Sequence, residues 1–357
     1  MLSYIIRRLL LMFPTLIGVT VIVFSVMAFS PGGIGAALRS ADGNMRAEDR
    51  KKVEAYLNKR YGLDRPKVVQ YFRWLNQVSP LGFKKDEEGN DQGFKFKAPD
   101  LGESFLRRQP VIRVIAEALP QTLFLNLLSI PVVYGIAIVS GIYAARYRGR
   151  AFDVMTGSTF LALWSIPTMW SGVMMVGFLS SVDYLHWFPT GGMHDTLSAY
   201  MRFLPSFAVD GFHRGWLLDS IWHLMLPVIC LSIGSFAFLS KLMRSSVLEN
   251  LEADFARTAR AKGVSDRDVL LRHVLSNSII PLITVAATIL PGLLGGSVIV
   301  ESIFSINGMG KLMIDAIYTR DQELVMSETL VVGIVSLFSL LLADVLYAMA
   351  DPRVSYE

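Results

Sequence analysis

The side chains whose types and spacing could do chemistry are few. Five histidines, His186, His194, His213, His223 and His273, read as isolated, with no second His, Cys or carboxylate at a ligand spacing such as His-x-x-x-His. The single cysteine, Cys230, lies in an apolar run, so no disulfide framework can form, and it is expected to pack as a small apolar residue. No Gly-x-Ser-x-Gly elbow is present. Gly308-Met-Gly310-Lys311 has a faint likeness to a phosphate loop, but it lacks the first Gly at the required spacing and a Ser or Thr after the Lys. The chain therefore offers no nucleotide site, and any energy it uses must come from elsewhere. Asp344 is the one charge inside an otherwise uncharged apolar stretch; near Arg353, it reads as a structural pair rather than a proton relay.

The elements that hold these residues are set by composition. Of 357 residues, 52% are hydrophobic and 18% charged, against about 25% charged in soluble domains, and the mean hydropathy is +0.45. A soluble enzyme, a nucleic-acid-binding module and a disordered chain are poor fits, and no nucleic-acid partner is expected, since the net charge of +4 comes without a long basic run. Uncharged stretches at 9–30, 118–145, 154–182, 220–240, 274–300 and 329–350 (the last interrupted by Asp344) approach or exceed the roughly 20 apolar residues needed to cross a bilayer. The expectation is an all-α polytopic membrane protein with six transmembrane helices, its first span an uncleaved helix at 1–30. Cations crowd alternate short connections: Arg7 and Arg8, then Arg146, Arg148 and Arg150, then Lys241 through Arg272. The positive-inside rule places these, and both termini, in the cytoplasm. Trp187, Trp216 and Trp222 flank spans on the outer side, whereas Trp164 and Trp170 fall within the third span. Pro14, Pro131, Pro167, Pro227, Pro281 and Pro291 can each kink a helix, and Gly292, Gly295 and Gly296 permit close helix contact.

Two segments are not spans. Residues 31–117 form an extracytoplasmic insertion, with helical composition over 46–78, a stop at Gly62, a restart at Pro66 and a polar loop over 84–93. It reads as a cap over the outer mouth or a platform for an outer partner. Residues 118–350 form the membrane domain, with a cytoplasmic loop over 241–278 and a tail at 351–357. That loop reads as two short helices, the first over 248–262, joined by a Lys262-Gly263-Val264-Ser265 corner. Ser265 is a good N-cap, and Asp266 and Asp268 suit the positive end of the next helix. Small residues at Ala256, Ala259, Ala261 and Gly263 would let another protein approach closely. Docking and a plain solvated loop are both open on these grounds.

The same loop carries a pattern. Asp254-Phe-Ala-Arg-Thr-Ala-Arg-Ala-Lys-Gly263, followed by His273-Val-Leu and Asn277, resembles the EAA loop of ABC importer permeases in its oligopeptide/dipeptide form, with Arg257 where the general pattern has Glu and Ser276 where it has Pro. The resemblance extends along nearly the whole chain: Arg7-Arg8 through Pro14, Pro31-Gly32-Gly33, Arg60-Tyr-Gly-Leu-Asp-Arg-Pro66, Leu101-Gly-Glu-Ser104, Ser165-Ile-Pro167, Phe188-Pro-Thr-Gly191, Glu301-Ser-Ile-Phe304 and Asp351-Pro-Arg353. It is similar to the B-type subunit, and Trp222-His223, Gly234-Ser-Phe236 and the ending Val-Ser-Tyr-Glu357 resemble the microcin-C-type branch.

This resemblance implies a permease of the bacterial cytoplasmic (inner) membrane that transports peptides by alternating access. It implies a heterodimer with a sibling permease, two cytoplasmic ATPases, an extracytoplasmic solute-binding protein and a surrounding lipid bilayer. No cofactor is bound by this chain; ATP is used by the partner subunits, and no enzymatic or metal site is expected. Asp254, Arg257, Thr258, Ala259, Ala261, Lys262, Gly263, Val264, Ser265 and His273 are the expected ATPase-coupling residues. A nickel permease of the same family and an ion-coupled secondary transporter are the rival readings.

Overall fold

A computed structural model describes residues 2–30, 47–85, 91–104, 106–208, 211–289 and 297–350. Helices dominate, and five are long and apolar enough to cross a membrane, six if one sharply bent pair counts as a single span. The expected Asp344–Arg353 pair, the expected kink at Pro291 and the close packing at Gly292, Gly295 and Gly296 involve positions outside the described residues. The chain divides into two compact units, residues 1–119 with 312–338, and residues 120–311 with 339–357.

The first unit begins with α1 (Leu2–Phe29), an apolar rod containing Pro14. Helices α2 (Ala47–Tyr61) and α3 (Lys67–Val78) follow. Gly62 ends α2 with φ +67°, its N–H donating to Asn58 O at 2.8 Å, and Pro66 supplies the N-cap position of α3. The region expected as a polar loop is partly strand: β1 (Leu81–Lys85) pairs antiparallel with β2 (Asp91–Phe96), matching Leu81 with Phe96 and Phe83 with Phe94. Alternation of Phe and Lys at 94–97 is a strand period that a polar composition conceals. A second ribbon joins β3 (Glu103–Ser104) to β4 (Gln109–Pro110). The buried Arg60 guanidinium ties the unit together: Nη1 donates to Asp100 Oδ2 at 2.7 Å, Nη2 to the Asp100 carbonyl at 2.9 Å, and Nε lies 3.2 Å from Glu323 Oε1. Burial alone would lower the Arg60 pKa, but Glu323 and the neighbouring acids outweigh it and the group is held above its ordinary value.

In the second unit the rods are α4 (Val111–Arg146, which starts in the first unit) and α7 (Gly215–Glu252), both longer than the stretches 118–145 and 220–240 marked by hydropathy. The third span is not one helix. It breaks into α5 (Ala151–Trp164) and α6 (Thr168–Met175, continued by a π turn to Ser180), bent by 89°. Pro167 lacks an N–H and pushes the residue before it out of the helical region, so a break replaces the expected kink. The carbonyl that Pro167 leaves without its helical donor, Leu163 O, accepts from Ile166 N at 3.1 Å instead. A third ribbon, β5 (Ser206–Ala208) and β6 (Gly211–His213), precedes α7. Cys230 is 1% exposed in an apolar cluster with Leu125, Leu224, Val300 and Phe304, as expected of a small apolar residue.

The histidines are less isolated than their spacing suggested. His223 stands at i+4 from Asp219, with Nε2 3.7 Å from Oδ1, and its Nδ1 is 3.2 Å from Gly191 O. His194 Nδ1 lies 2.8 Å from Ser220 Oγ. Burial holds His194 below the usual histidine range, with Asp219 pulling it the other way. Among the described residues, no group of three His, Cys, Asp or Glu gathers as for a metal.

The most buried charge of the second unit is Glu301, near the end of α12 (Val298–Ile303). Its Oε1 accepts from Thr122 Oγ1 at 2.9 Å and Ser297 N at 3.0 Å, and its Oε2 accepts from Lys311 N at 3.1 Å in α13 (Met309–Tyr318). Thr122 Oγ1 also accepts from Met309 N at 2.8 Å. A Cβ on Gly308 would collide with both Thr122 and Glu301, so only glycine fits. Helix α14 (Gln322–Ala350) completes the chain without a break. Removing a buried acceptor leaves its donors unsatisfied at about 1–3 kcal/mol each. Glu301→Ala is therefore expected to lower the Tm of the detergent-solubilised protein clearly more than Glu301→Gln, which keeps an acceptor at the same reach; equal effects would remove the network from its structural role.

Candidate functional site

The loop between α7 and the fifth span is a compact helical elbow. Helix α7 runs without interruption to Glu252, so residues 248–252 belong to it rather than to a separate short helix. The chain turns at Ala253 (φ −70°, ψ 153°) into α8 (Asp254–Ala261). Gly263, at φ +81°, closes α8: its N–H donates to Arg260 O at 2.9 Å and Val264 N–H donates to Ala259 O at 3.2 Å. These are the paired bonds of a Schellman cap. Ser265 then caps α9 (Asp266–Asp268), its Oγ accepting from Asp268 N at 3.2 Å. The return continues as a π turn (Val269–Val274) into α10 (Leu275–Ser278) and α11 (Ile280–Ile289).

The elbow has a dry inner side and a charged outer side. Ala256 and Ala259 are buried in one apolar cluster with Val269, Leu270 and Val274 from the return strand of the elbow, Met243 and Val247 from α7, Ala145 from α4 and Leu282 from α11. Val264 packs on the same cluster. The small size of Ala256 and Ala259 thus serves close packing of α8 on its own support, not the approach of an outside surface, which was the expectation. Asp254, Arg257, Thr258, Ala261, Lys262, Gly263, Ser265 and His273 are exposed. Arg257 lies 3.8 Å from Asp254, Arg260 3.4 Å from Asp266, and Arg272 3.5 Å from Asp268. These surface pairs contribute little to stability, but the Arg260–Asp266 pair bridges the two arms of the corner. At Gly263 an added Cβ would meet nothing within 4 Å, so the glycine answers to its backbone angle alone.

Two supports of the elbow are not legible in its own stretch of sequence. Arg244, one turn above its root, grips Asp153 of α5 through two bonds, Nε to Oδ1 at 2.6 Å and Nη2 to Oδ2 at 2.7 Å, and Gly149 N donates to Asp153 Oδ2 at 2.9 Å. Ser278 Oγ also lies 3.3 Å from Ser246 O. The only sequence signal was an acid following the cationic Arg146–Arg150 turn. Trp164, Met169 and Trp170 of the third span are 59%, 62% and 54% exposed on this chain, whereas Met175 packs on the cluster around Cys230.

Residues 137–356 match the family of binding-protein-dependent transport system inner membrane components, and residues 1–126 match the N-terminal domain of the same membrane components. The chain belongs to this family. It is 35% identical over 358 residues to the oligopeptide transport system permease protein AppB of Bacillus subtilis strain 168, with all of both chains covered. It is 34% identical over 360 residues to the di/tripeptide transport system permease protein DppB of Pseudomonas aeruginosa, again over the full length of both. To the inner membrane ABC transporter permease protein YejB of Escherichia coli O157:H7 it is 28% identical over 388 residues, covering 99% of each. The protein is accordingly a multi-pass permease of the inner membrane, and the elbow is the part of it that combines a rigid root with a charged, exposed tip.

The two sides of the elbow predict opposite sensitivities. Ala256→Leu and Ala259→Leu overpack the root and should each destabilise by about 1–3 kcal/mol, while Arg257→Ala and Thr258→Ala should stay within about 0.5 kcal/mol. Thermal denaturation of the four variants in one detergent checks this, and tolerated leucines would mean that the root is not closely packed.

Proposed function

We propose that this chain is one of two permease subunits in an ATP-binding-cassette importer for peptides or peptide-like solutes. Full-length similarity to permeases named for oligopeptide and di/tripeptide transport supports the cargo class. The sibling permease pairs with it in the bilayer, an extracytoplasmic binding protein delivers solute, and two cytoplasmic ATPases supply the energy. Both termini and the elbow face the cytoplasm. The chain itself binds no cofactor; ATP acts on it only through contact.

The observation that carries this reading is the construction of the elbow. Its tip, Lys262-Gly263-Val264-Ser265, projects from a root in which α4, α7 and α11 share one apolar cluster. Close-packed interiors transmit displacement rather than absorb it. A neighbour that grips the tip differently in its ATP-bound and ATP-free states would shift the helices between two arrangements, and only such differential contact can shift an equilibrium. Asp254, Arg257 and Lys262 supply polar contacts on the outer side, and Gly263 supplies a surface without a side chain.

Gly263→Trp places a large side chain in open space, so its cost to folding is limited to the left-handed backbone, about 1–2 kcal/mol. The variant should reach the membrane and co-purify with its sibling permease, yet lose ATP-driven peptide uptake in proteoliposomes by more than about tenfold, whereas Gly263→Ala should retain most of it. Wild-type uptake by Gly263→Trp would remove the elbow from the coupling path.

A further inference from the structure

Helix α3 has two faces that are not polar surface. One, Gln70, Trp74 and Val78, is buried in the first unit. The other is apolar and exposed: Val68 is 66% exposed and Phe72, one turn on, 61%. A helix in water exposes a polar face instead. The ribbon beside it repeats the pattern. Leu81, Phe83, Phe94 and Phe96 share one face through the pairs Leu81–Phe96 and Phe83–Phe94, and all four are more than half exposed. Lys95, paired with Gly82, points to the opposite face. The ribbon is fixed to α3 by Asn76, whose Nδ2 donates to Phe83 O at 3.1 Å and whose Oδ1 accepts from Phe83 N at 2.8 Å.

The depth of this assembly can be read from α1. Tyr71 of α3 lies with its hydroxyl 2.9 Å from Thr20 Oγ1, and the rings of Tyr71 and Trp74 lie 5.5 and 5.8 Å from that of Phe24. The uncharged part of α1, Leu9 to Phe29, is about 31 Å long at 1.5 Å per residue, which fills the roughly 30 Å hydrocarbon core. Thr20, reached only by the tip of the Tyr71 side chain, then sits about 14 Å inside the boundary, and Phe24, on which the rings pack, about 8 Å. That is the depth at which interfacial amphipathic elements bury their apolar faces, roughly 5–10 Å. Arg73 and Lys95 are exposed, and among the described residues neither is ion-paired, so both are available to phosphate groups.

We propose that α3 and the β1–β2 ribbon form an interfacial anchor, their apolar faces lying in the headgroup–acyl boundary of the leaflet at the C-terminal end of α1, with Arg73 and Lys95 directed to lipid phosphates. The occupant of the exposed face is the bilayer that α1 already crosses, so the insertion hugs the membrane surface at this edge rather than standing away from it. The inference rests on the membrane location and not on the cargo or the elbow.

The test is depth-dependent quenching in the assembled transporter. The chain, carrying Cys230→Ser, receives a bimane label at Phe72→Cys, Phe96→Cys or Lys95→Cys, and is reconstituted with its co-purifying partners into nanodiscs of phosphatidylethanolamine and phosphatidylglycerol. Lipid with a nitroxide at acyl carbon 5 should quench the labels at 72 and 96 about threefold more than the label at 95, which aqueous iodide should quench instead. Iodide quenching at 72 and 96 without the nitroxide excess would place the face in water and overturn the proposal. Resistance of both positions to both quenchers would show that a protein partner covers the face, and would overturn it equally.

Discussion

Hydrocarbon offers no hydrogen-bond partner, and two irregular features among the described residues of this permease are arranged around that constraint. Where the third span breaks at Pro167, the Leu163 carbonyl takes the Ile166 N–H at 3.1 Å in place of the donor that proline lacks, and Ser171 Oγ donates to the Thr168 carbonyl at 2.9 Å. Where the chain leaves α12 and re-enters helix at Met309, one carboxyl group, Glu301, collects a hydroxyl and two backbone N–H groups that no helix satisfies. The Glu301 side chain is fully buried with no cation at ion-pair distance among the described residues; it is held by oriented dipoles instead, including the N-terminal N–H groups of α13. Thr122 bridges the same two segments by donating to Glu301 and accepting from Met309.

Glycines in this chain answer to two different constraints. Gly308 and Gly310 sit where an added carbon would strike neighbouring atoms, Thr122 and Glu301 at the first and the Val298 backbone at the second. They are demanded by closeness inside the fold. Gly263 has empty space around its missing side chain and a positive φ. Nothing within the chain requires that space. Here the fold needs glycine only for its dihedral, at the tip of an elbow whose root is closely packed.

Spans, caps and the corner were legible because each rests on short-range chemistry. An uncharged run of span length marks a membrane helix wherever it stands, and Gly62, Pro66, Gly263 and Ser265 act within one helical turn of themselves. What escaped depends on partners distant in sequence. The Asp153–Arg244 clasp joins positions far apart, and neither residue differs in type from its solvated neighbours. Helix ends were placed short at Gly215 and Glu252 because hydropathy marks where lipid begins, whereas a helix continues for as long as its bonds are satisfied. The burial of Ala256 and Ala259 was missed for a related reason: alanine reads equally well as an inward or an outward small residue, and only the packing of both in one cluster with Val269 and Leu270 across the corner decides between them.

The continuity of α7 gives the elbow a mechanical consequence. At about 1.5 Å per residue its 38 residues make a rod of roughly 57 Å. Near its C-terminal end Met243 and Val247 are embedded in the root of the elbow, and Arg244 clasps Asp153 at the start of α5. Further along, Phe236 meets Phe160 of α5 edge-to-face at 4.9 Å, and Cys230 lies 3.4 Å from Ser171 of α6. A single unbroken helix therefore touches the elbow and both arms of the broken span. Displacement applied at the tip reaches α7 first, and α5 and α6, joined only by Ser165–Ile166–Pro167, are free to respond by different amounts. The stiff member carries the load and the broken member can change shape, a division of labour that places the compliance of this unit at the Pro167 joint.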